Sequence, residues 1–277
     1  MTWHARLSLH YALSDAGQTV ARHRHEGPLR VLKSLYPEGP RVCHNVLVHP
    51  PGGIAGGDRL QVDVQVQAGA HALLSTPGAT RFYRCEQGQG EQDVRLHLAE
   101  GARLEWLPLE TLVYPGAQAR NTLRFSLAPG AALMGWDVLA LGLPHAGQPF
   151  DHGQLWQHTE WPGVWLERGR IDGADVRLLD SPVGLAGQRC LATLYYASGT
   201  ALPRAQREAA LDLTRELLHT HPLAAQAGVT MPDERLLLLR VLAPVAEPAS
   251  ELLRQVWALW RGHFWQAGHA PPRIWAV

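Results

Sequence analysis

The feature that most constrains the fold of this chain is a repeat. Alternating apolar residues, a Gly-Ala turn and further alternating apolar residues occur three times, with the turn glycines at Gly69, Gly101 and Gly130. The spacing of about 30 residues lies within the range of repeat architectures. Each unit predicts a strand, a tight turn and a second strand. Stacked units would bury a continuous apolar interior between sheet layers, and a β-sandwich of hairpins is the alternative that the pattern leaves open.

The character of the chain changes after Gly199. Residues 203–221 and 248–266 carry apolar side chains at helical spacing, and Pro203 lies near the start of the first segment. No linker rich in proline or serine separates this part from the β-part. We therefore expect a single domain over residues 1–277, mainly β over 1–199, with a helical C-terminal portion over 200–277 packed on it.

A loop rich in proline and glycine spans residues 49–60, between two segments of alternating apolar residues. Its two prolines fix φ, and its four glycines permit positive φ and close approach of the backbone. It is longer than a plain hairpin turn, and it ends in Asp58 and Arg59. The loop is either a rigid surface connection or one shaped to hold these two side chains against a partner.

This loop and several later stretches resemble the urease accessory protein UreD family, also called UreH. The matching stretches occur in order along nearly the whole chain, at residues 49–60, 75–84, 104–108, 114–117, 136–137, 150–153 and 272–275. Arg81 stands where many members have lysine, and Ala55 stands where valine is common. Arginine and lysine are not equivalent at a tight site. The resemblance implies a mainly β, solenoid-like fold of stacked β-layers, which agrees with the repeat. The two segments with helical spacing add about two α-helices near the C-terminus.

The resemblance also implies a function. Members of the family are non-catalytic urease maturation factors, nickel-insertion chaperones that act as scaffolds in a complex with UreF and UreG on the urease apoprotein. A dimer of this chain within that complex is compatible with the resemblance. Nickel is expected to pass through an interior passage in transit, with no cofactor tightly bound. UreG is the GTPase, which agrees with the absence here of the G-x-x-x-x-G-K-[ST] motif that holds phosphates.

Two acidic residues, Asp58 and Glu167, match acidic positions of the family, and the hypothesis is that both line the passage and contact nickel transiently. The alternative is an ion pair, of Asp58 with Arg59 or Arg81 and of Glu167 with Arg168. The signature loops contribute the remaining candidate residues, of which Tyr83 is expected only to support the loops: His49, Gly52, Gly53, Gly56, Gly57, Arg59, Arg81, Tyr83 and Arg84.

Composition excludes several other functions. The 25 basic and 25 acidic residues balance, so no electrostatic footprint for nucleic acid or an anionic membrane is present. Three cysteines without a CxxC pair argue against a zinc site and a disulfide framework. The longest leucine run, residues 236–239, is too short to span a bilayer. With no signal peptide apparent at the start, we expect a cytoplasmic location.

The fifteen histidines include no H-x-x-x-H or H-E-x-x-H motif. In the run of residues 22–25, alternation along a strand would place His23 and His25 on one face, where two imidazoles could share a metal ion. A solvated sheet edge is the commoner explanation of such a run.

The competing function is a carbohydrate-binding or carbohydrate-cleaving β-protein. It would present exposed tryptophans that stack on sugars, and a cleaving enzyme would need paired carboxylates. The pairs to compare are Asp58 with Glu167 and Glu105 with Glu110. A scaffold protein, in contrast, would carry its tryptophans in the core or at a protein interface.

Overall fold

The computed structural model describes residues 2–268 and 270–276, which form two β-sheets and three α-helices. The first sheet contains the strands β1 (His4–Leu13), β2 (Thr19–Glu26), β5 (Arg59–Val66), β8 (Gly90–Leu98), β11 (Gln118–Leu127), β13 (Gln154–Trp161) and β14 (Trp165–Asp172). The second sheet contains β3 (Arg30–Val31), β4 (Val42–Val48), β6 (His71–Ser75), β7 (Thr80–Phe82), β9 (Arg103–Leu107), β10 (Thr111–Val113), β12 (Ala132–Leu141), β15 (Cys190–Ser198), β16 (Ala227–Asp233) and β17 (Leu236–Ala243). The helices are α1 (Val176–Asp180), α2 (Arg204–His219) and α3 (Ala246–Trp265).

The chain crosses from one sheet to the other at each repeat. In the first sheet, β1, β5, β8, β11 and β13 are parallel neighbours, and the antiparallel strands β2 and β14 form its two edges. In the second sheet, β4, β6, β9 and β12 are parallel neighbours, and β15, β17 and β16 continue it antiparallel. The two strands of each repeat therefore lie in different sheets, which confirms the solenoid and shows that the repeat units are not hairpins of a β-sandwich.

The three repeat turns stack on one another. Gly69, Gly101 and Gly130 all have positive φ, between +64° and +71°. A Cβ atom on Gly130 would lie 3.6 Å from the backbone nitrogen of Gly101, and the Gly69 amide donates to the Glu100 carbonyl at 3.2 Å. Each turn thus sets the position of the next, because glycine adopts this left-handed conformation without steric cost.

Side-chain alternation builds one core on each face of the second sheet. Between the sheets, apolar side chains such as Val62, Val64 and Leu96 fill the solenoid interior. On the outer face of the second sheet, α2 and α3 cover a second core. The leucine run of β17 serves both, since Leu236 and Leu238 face the interior and the leucines between and after them face the helices.

Helices α2 and α3 confirm the two predicted C-terminal helices. The short helix α1 was not predicted; the Asp175 carboxylate caps it by accepting from the Leu178 amide at 3.0 Å. Strand β16 was also missed, since its half-polar sequence forms an edge next to α2. Within the described residues, no helix is long and apolar enough to cross a membrane.

A buried polar network fastens α3 to the second sheet. The Glu105 side chain is fully buried and meets the Arg261 guanidinium at 3.0 Å, the Trp257 indole N–H at 2.7 Å and the His71 ring at 2.9 Å. Glu38 contacts the other side of Arg261 at 2.8 Å. Removing one partner would leave a buried charge uncompensated, so this network fixes where the helix sits on the sheet.

Candidate functional site

The two signature stretches pack directly against each other. The Ile54 amide donates to the Arg81 carbonyl at 2.7 Å, and the Tyr83 amide donates to the Ile54 carbonyl at 2.9 Å. A Cβ atom on Gly53 would lie 2.1 Å from the Tyr83 ring, so this position requires glycine. Tyr83 in turn makes an edge-to-face contact with Tyr114, at 5.1 Å between ring centroids. The Tyr83 ring therefore packs between the Gly53 backbone and Tyr114.

Asp58 closes the signature loop through backbone contacts. Its carboxylate is 3% exposed and accepts from the Trp3 amide at 2.7 Å and the Ala55 amide at 2.9 Å. In the part of the chain that the structure describes, neither Arg59 nor Arg81 pairs with it; Arg59 instead meets Glu91 at 3.0 Å on the surface. A carboxylate that accepts two backbone N–H bonds is fixed in place, so Asp58 holds the end of the loop against the N-terminal segment.

The remaining signature residues divide between the surface and the interior. Arg84 is exposed and lies 3.5 Å from Glu86. Gly56 approaches the backbone of a neighbouring loop, where a Cβ would lie 2.1 Å from the Gln87 carbonyl oxygen, and Gly57 has a φ of +89°. His49, Gly52, Gly53 and Arg81 face the interior and line a cavity.

This loop-side cavity has a volume of about 260 Å³ and lies between the two sheets. A second, edge-side cavity of about 560 Å³ lies between β14 and β17. Three residues line both cavities: Asp137 on β12, and Gln157 and Thr159 on β13. We call these three residues the neck, because they are shared by the linings of the two cavities.

One oxygen atom of the neck and one of the edge-side cavity lack a hydrogen-bond partner among the described residues. The Gln157 amide nitrogen donates to the Asp137 carboxylate, whereas the buried Gln157 Oε1 has no hydrogen-bond partner among the described residues. The same holds for the buried hydroxyl of Tyr195, which lines the edge-side cavity. Burial, together with the charge of Glu167, raises the pKa of Asp137 to about 7. Burial and the charge of Asp137 raise the pKa of Tyr195.

Glu167 lies at the rim of the edge-side cavity. Its side chain is 38% exposed and pairs with Arg240 of the opposite sheet at 2.6 Å. The alternative to a nickel contact was an ion pair of Glu167 with the adjacent Arg168, but the pair that forms is with Arg240, because consecutive strand residues point to opposite faces. The Glu167–Arg240 pair bridges the two sheets where the solenoid interior reaches its edge.

At the other end, His49 and Arg81 contribute nitrogen atoms to the loop-side cavity. Burial lowers the pKa of His49, and the nearby Asp58 charge opposes this effect. The His49 Nε2 atom is buried without a partner in the described chain. The Arg81 guanidinium donates to the Gly52 carbonyl at 3.3 Å. His49 and Arg81 thus line the loop-side cavity and Glu167 lines the edge-side cavity, whereas Asp58 is not among the residues that line either one.

Comparison with known proteins decides the family. The family model described as UreD urease accessory protein matches residues 4–276. The chain is 59% identical to the urease accessory protein UreD of Albidiferax ferrireducens and 56% identical to that of Variovorax paradoxus, each over 100% of both chains. The chain belongs to the UreD urease accessory protein family. A third UreD, from Methylibium petroleiphilum, is 50% identical over 99% of both chains. The resemblance drawn from the signature loops is therefore confirmed.

The structure has few of the features that a carbohydrate-binding or carbohydrate-cleaving protein needs. Eight of the ten tryptophans are buried, and only Trp3 and Trp156 are exposed. The Trp156 ring lies 5.7 Å below the Arg170 guanidinium. Glu105 is fully buried in its network with Arg261 and is not available to protonate a glycosidic oxygen. The buried tryptophans lie in the two cores instead.

Sequence reasoning missed the neck. Asp137 appeared only within a family dipeptide, and Gln157 and Thr159 belong to no motif. The one local signal is that Asp137 interrupts the apolar face of β12, where Leu133 and Leu139 are buried in the interior. Within the described residues, no group of three or more histidine, cysteine, aspartate or glutamate side chains could hold a metal ion. The UreD-family interior therefore offers isolated ligands rather than a closed metal site.

Proposed function

We propose that this chain is a non-catalytic urease maturation factor that passes nickel, as cargo, through its interior to the urease apoprotein. It acts as a scaffold in a cytoplasmic complex with UreF and with UreG, the GTPase. The observation that carries the proposal is a pair of interior cavities whose linings share Asp137, Gln157 and Thr159. Family membership supports the urease accessory role.

The chemistry of the neck suits an ion in transit. A carboxylate, an amide oxygen and a hydroxyl are ligands for divalent cations, and Ni²⁺ also accepts the imidazole available from His49. One carboxylate at the neck and one at the rim attract a cation without forming the four-ligand cage that holds structural metals. Exchange along the cavities therefore stays fast. Glu167 would bind the ion at the rim after its ion pair with Arg240 opens. This pair is partly exposed to solvent and therefore contributes little binding energy.

The hypothesis that Asp58 also contacts nickel stays a prediction. Both carboxylate oxygens accept backbone amides, so a positioning role for the signature loop agrees better with these contacts. If the loop role holds, Asp58→Asn lowers the stability of the chain as well as urease activation. If Asp58 binds nickel directly, activation falls while the thermal unfolding temperature stays unchanged.

The test is urease activation in a host that carries all the other urease genes. Urease activity and urease nickel content are measured without the chain, with it, and with Asp137→Asn, Glu167→Gln or the matched surface control Asp212→Asn. We expect both quantities to be lost without the chain and lowered by the two cavity variants, with the control at wild-type level. Normal nickel content in the Asp137 and Glu167 variants, with the accessory complex intact by co-purification, would refute the passage.

A further inference from the structure

A histidine pair at the edge of the first sheet is not used by the passage. His23 and His25 lie on the edge strand β2, opposite Leu9 and Leu7 of β1. Both histidines are exposed. Their rings stack, with centroids 6.1 Å apart and planes inclined by 17°. The alternation predicted for this run is therefore present in the structure, with both rings on one face of the strand.

The surroundings leave these two rings free. The neighbouring Arg22 and Arg24 point to the opposite face of β2, because consecutive residues of a strand alternate. Arg24 is also partly neutralised by Glu26, at 3.5 Å. Within the described residues, neither imidazole makes a hydrogen bond or an ion pair, and their one recorded contact is with each other.

We propose that His23 and His25 together bind one divalent transition-metal ion of the class that prefers imidazole: Ni²⁺, Cu²⁺ or Zn²⁺. Each metal–nitrogen bond is about 2 Å long. Exposed rings can rotate about their side-chain bonds to direct one nitrogen each to the same ion, at little cost in packing. Imidazole is preferred by these ions over Mg²⁺ and Ca²⁺, which take oxygen ligands.

Two protein ligands leave the other coordination positions to water, so the site exchanges its metal quickly. The site lies on β2, at the opposite edge of the first sheet from Glu167 on β14. Its existence does not depend on the interior passage, and either can fail without the other.

The experiment is a NiCl₂ titration of the full chain, purified without a histidine tag, observed through the NMR signals of the histidine rings. Bound Ni²⁺ broadens the signals of its ligands. We expect the signals of His23 and His25 to broaden at lower nickel concentration than those of the other histidines. The double variant His23→Asn/His25→Asn loses this binding, and each single variant weakens it by about tenfold, because the second ligand no longer acts intramolecularly.

The matched control removes a second pair of histidines two residues apart. His219 ends α2, and His221 follows it with its Nδ1 accepting from the Leu223 amide at 3.1 Å. The variant His219→Asn/His221→Asn should bind nickel as the wild type does. Electron paramagnetic resonance of the Cu²⁺ complex adds a readout without mutation, with hyperfine coupling to two nitrogens expected.

Simultaneous broadening of all histidine signals, or unchanged nickel affinity in the His23→Asn/His25→Asn variant, would overturn the proposal. Coupling of Cu²⁺ to a single nitrogen would do the same. The variant replaces exposed side chains, so we expect its thermal unfolding to match that of the wild type.

Discussion

Asp137→Asn tests the structure most sensitively, because it removes an interior charge while keeping the shape of the side chain. Burial and the charge of Glu167 raise the pKa of Asp137 from 3.8 to about 7. The asparagine side chain cannot ionise, and its amide can donate to the Gln157 oxygen that now lacks a partner in the described chain. The variant should therefore gain stability over the wild type as the pH rises.

The magnitude follows from the shift in pKa. In the unfolded chain Asp137 ionises near pH 3.8, whereas in the folded chain it stays protonated up to about pH 7. Between these values the unfolded state releases a proton that the folded state retains, so wild-type stability falls by roughly 1.4 kcal/mol per pH unit. The full effect is roughly 4 kcal/mol, of which roughly 2 to 3 kcal/mol falls between pH 5 and pH 8. Water in the cavities would reduce this amount.

The assay is guanidinium chloride unfolding of both proteins at pH 5, 6, 7 and 8. The free energy of unfolding of Asp137→Asn minus that of the wild type should rise through pH 7 and level off near pH 8. The surface variant Asp212→Asn should show no such trend. A difference for Asp137→Asn that is constant from pH 5 to pH 8 would refute the placement of this carboxyl group in a buried, cation-free neck.

Three further predictions concern packing and charge. Gly53→Ala should lower the free energy of unfolding by about 1 to 3 kcal/mol through overpacking, measured by chemical denaturation; an unchanged midpoint would contradict the contact between the signature stretches. Glu105→Gln should lower the free energy of unfolding by about 3 kcal/mol, because the buried Arg261 then keeps only one carboxylate partner, Glu38. A loss below about 1 kcal/mol would contradict the network. Arg240→Gln should lower the free energy of unfolding by less than about 1 kcal/mol. It should still change the nickel content of urease, because it frees Glu167 from its ion pair. A large loss of stability would show that the pair is structural.

Much of the fold is predictable because it repeats. The glycines at positions 69, 101 and 130 mark turns that must have positive φ, and the alternation on either side marks the strands. The choice between solenoid and sandwich needed the pairing of the strands, which is not a local property. Helix α1 depends on a single capping contact from Asp175, too short a signal to separate from a turn.

The candidate site is less predictable, since it is assembled across long sequence distances. Glu167 pairs with Arg240, 73 residues away, rather than with its neighbour. Glu105 meets Trp257 across 152 residues. The signature loop was visible from its glycines, but the role of Asp58 in binding backbone amides was not. Asp137 lies on β12 of the second sheet, whereas Gln157 and Thr159 lie on β13 of the first sheet. These three residues become neighbours only when the two sheets pack together.

The nickel content of urease matured with a blocked neck tests the central claim most directly. Thr159→Trp would fill the neck, and Thr159→Val is the matched control that removes the hydroxyl while keeping the size. Each variant replaces the wild-type chain in a host with all other urease genes, and co-purification confirms that the complex forms. The account predicts nickel-poor urease with Thr159→Trp and nickel-loaded urease with Thr159→Val. Fully loaded urease with the tryptophan variant would contradict it.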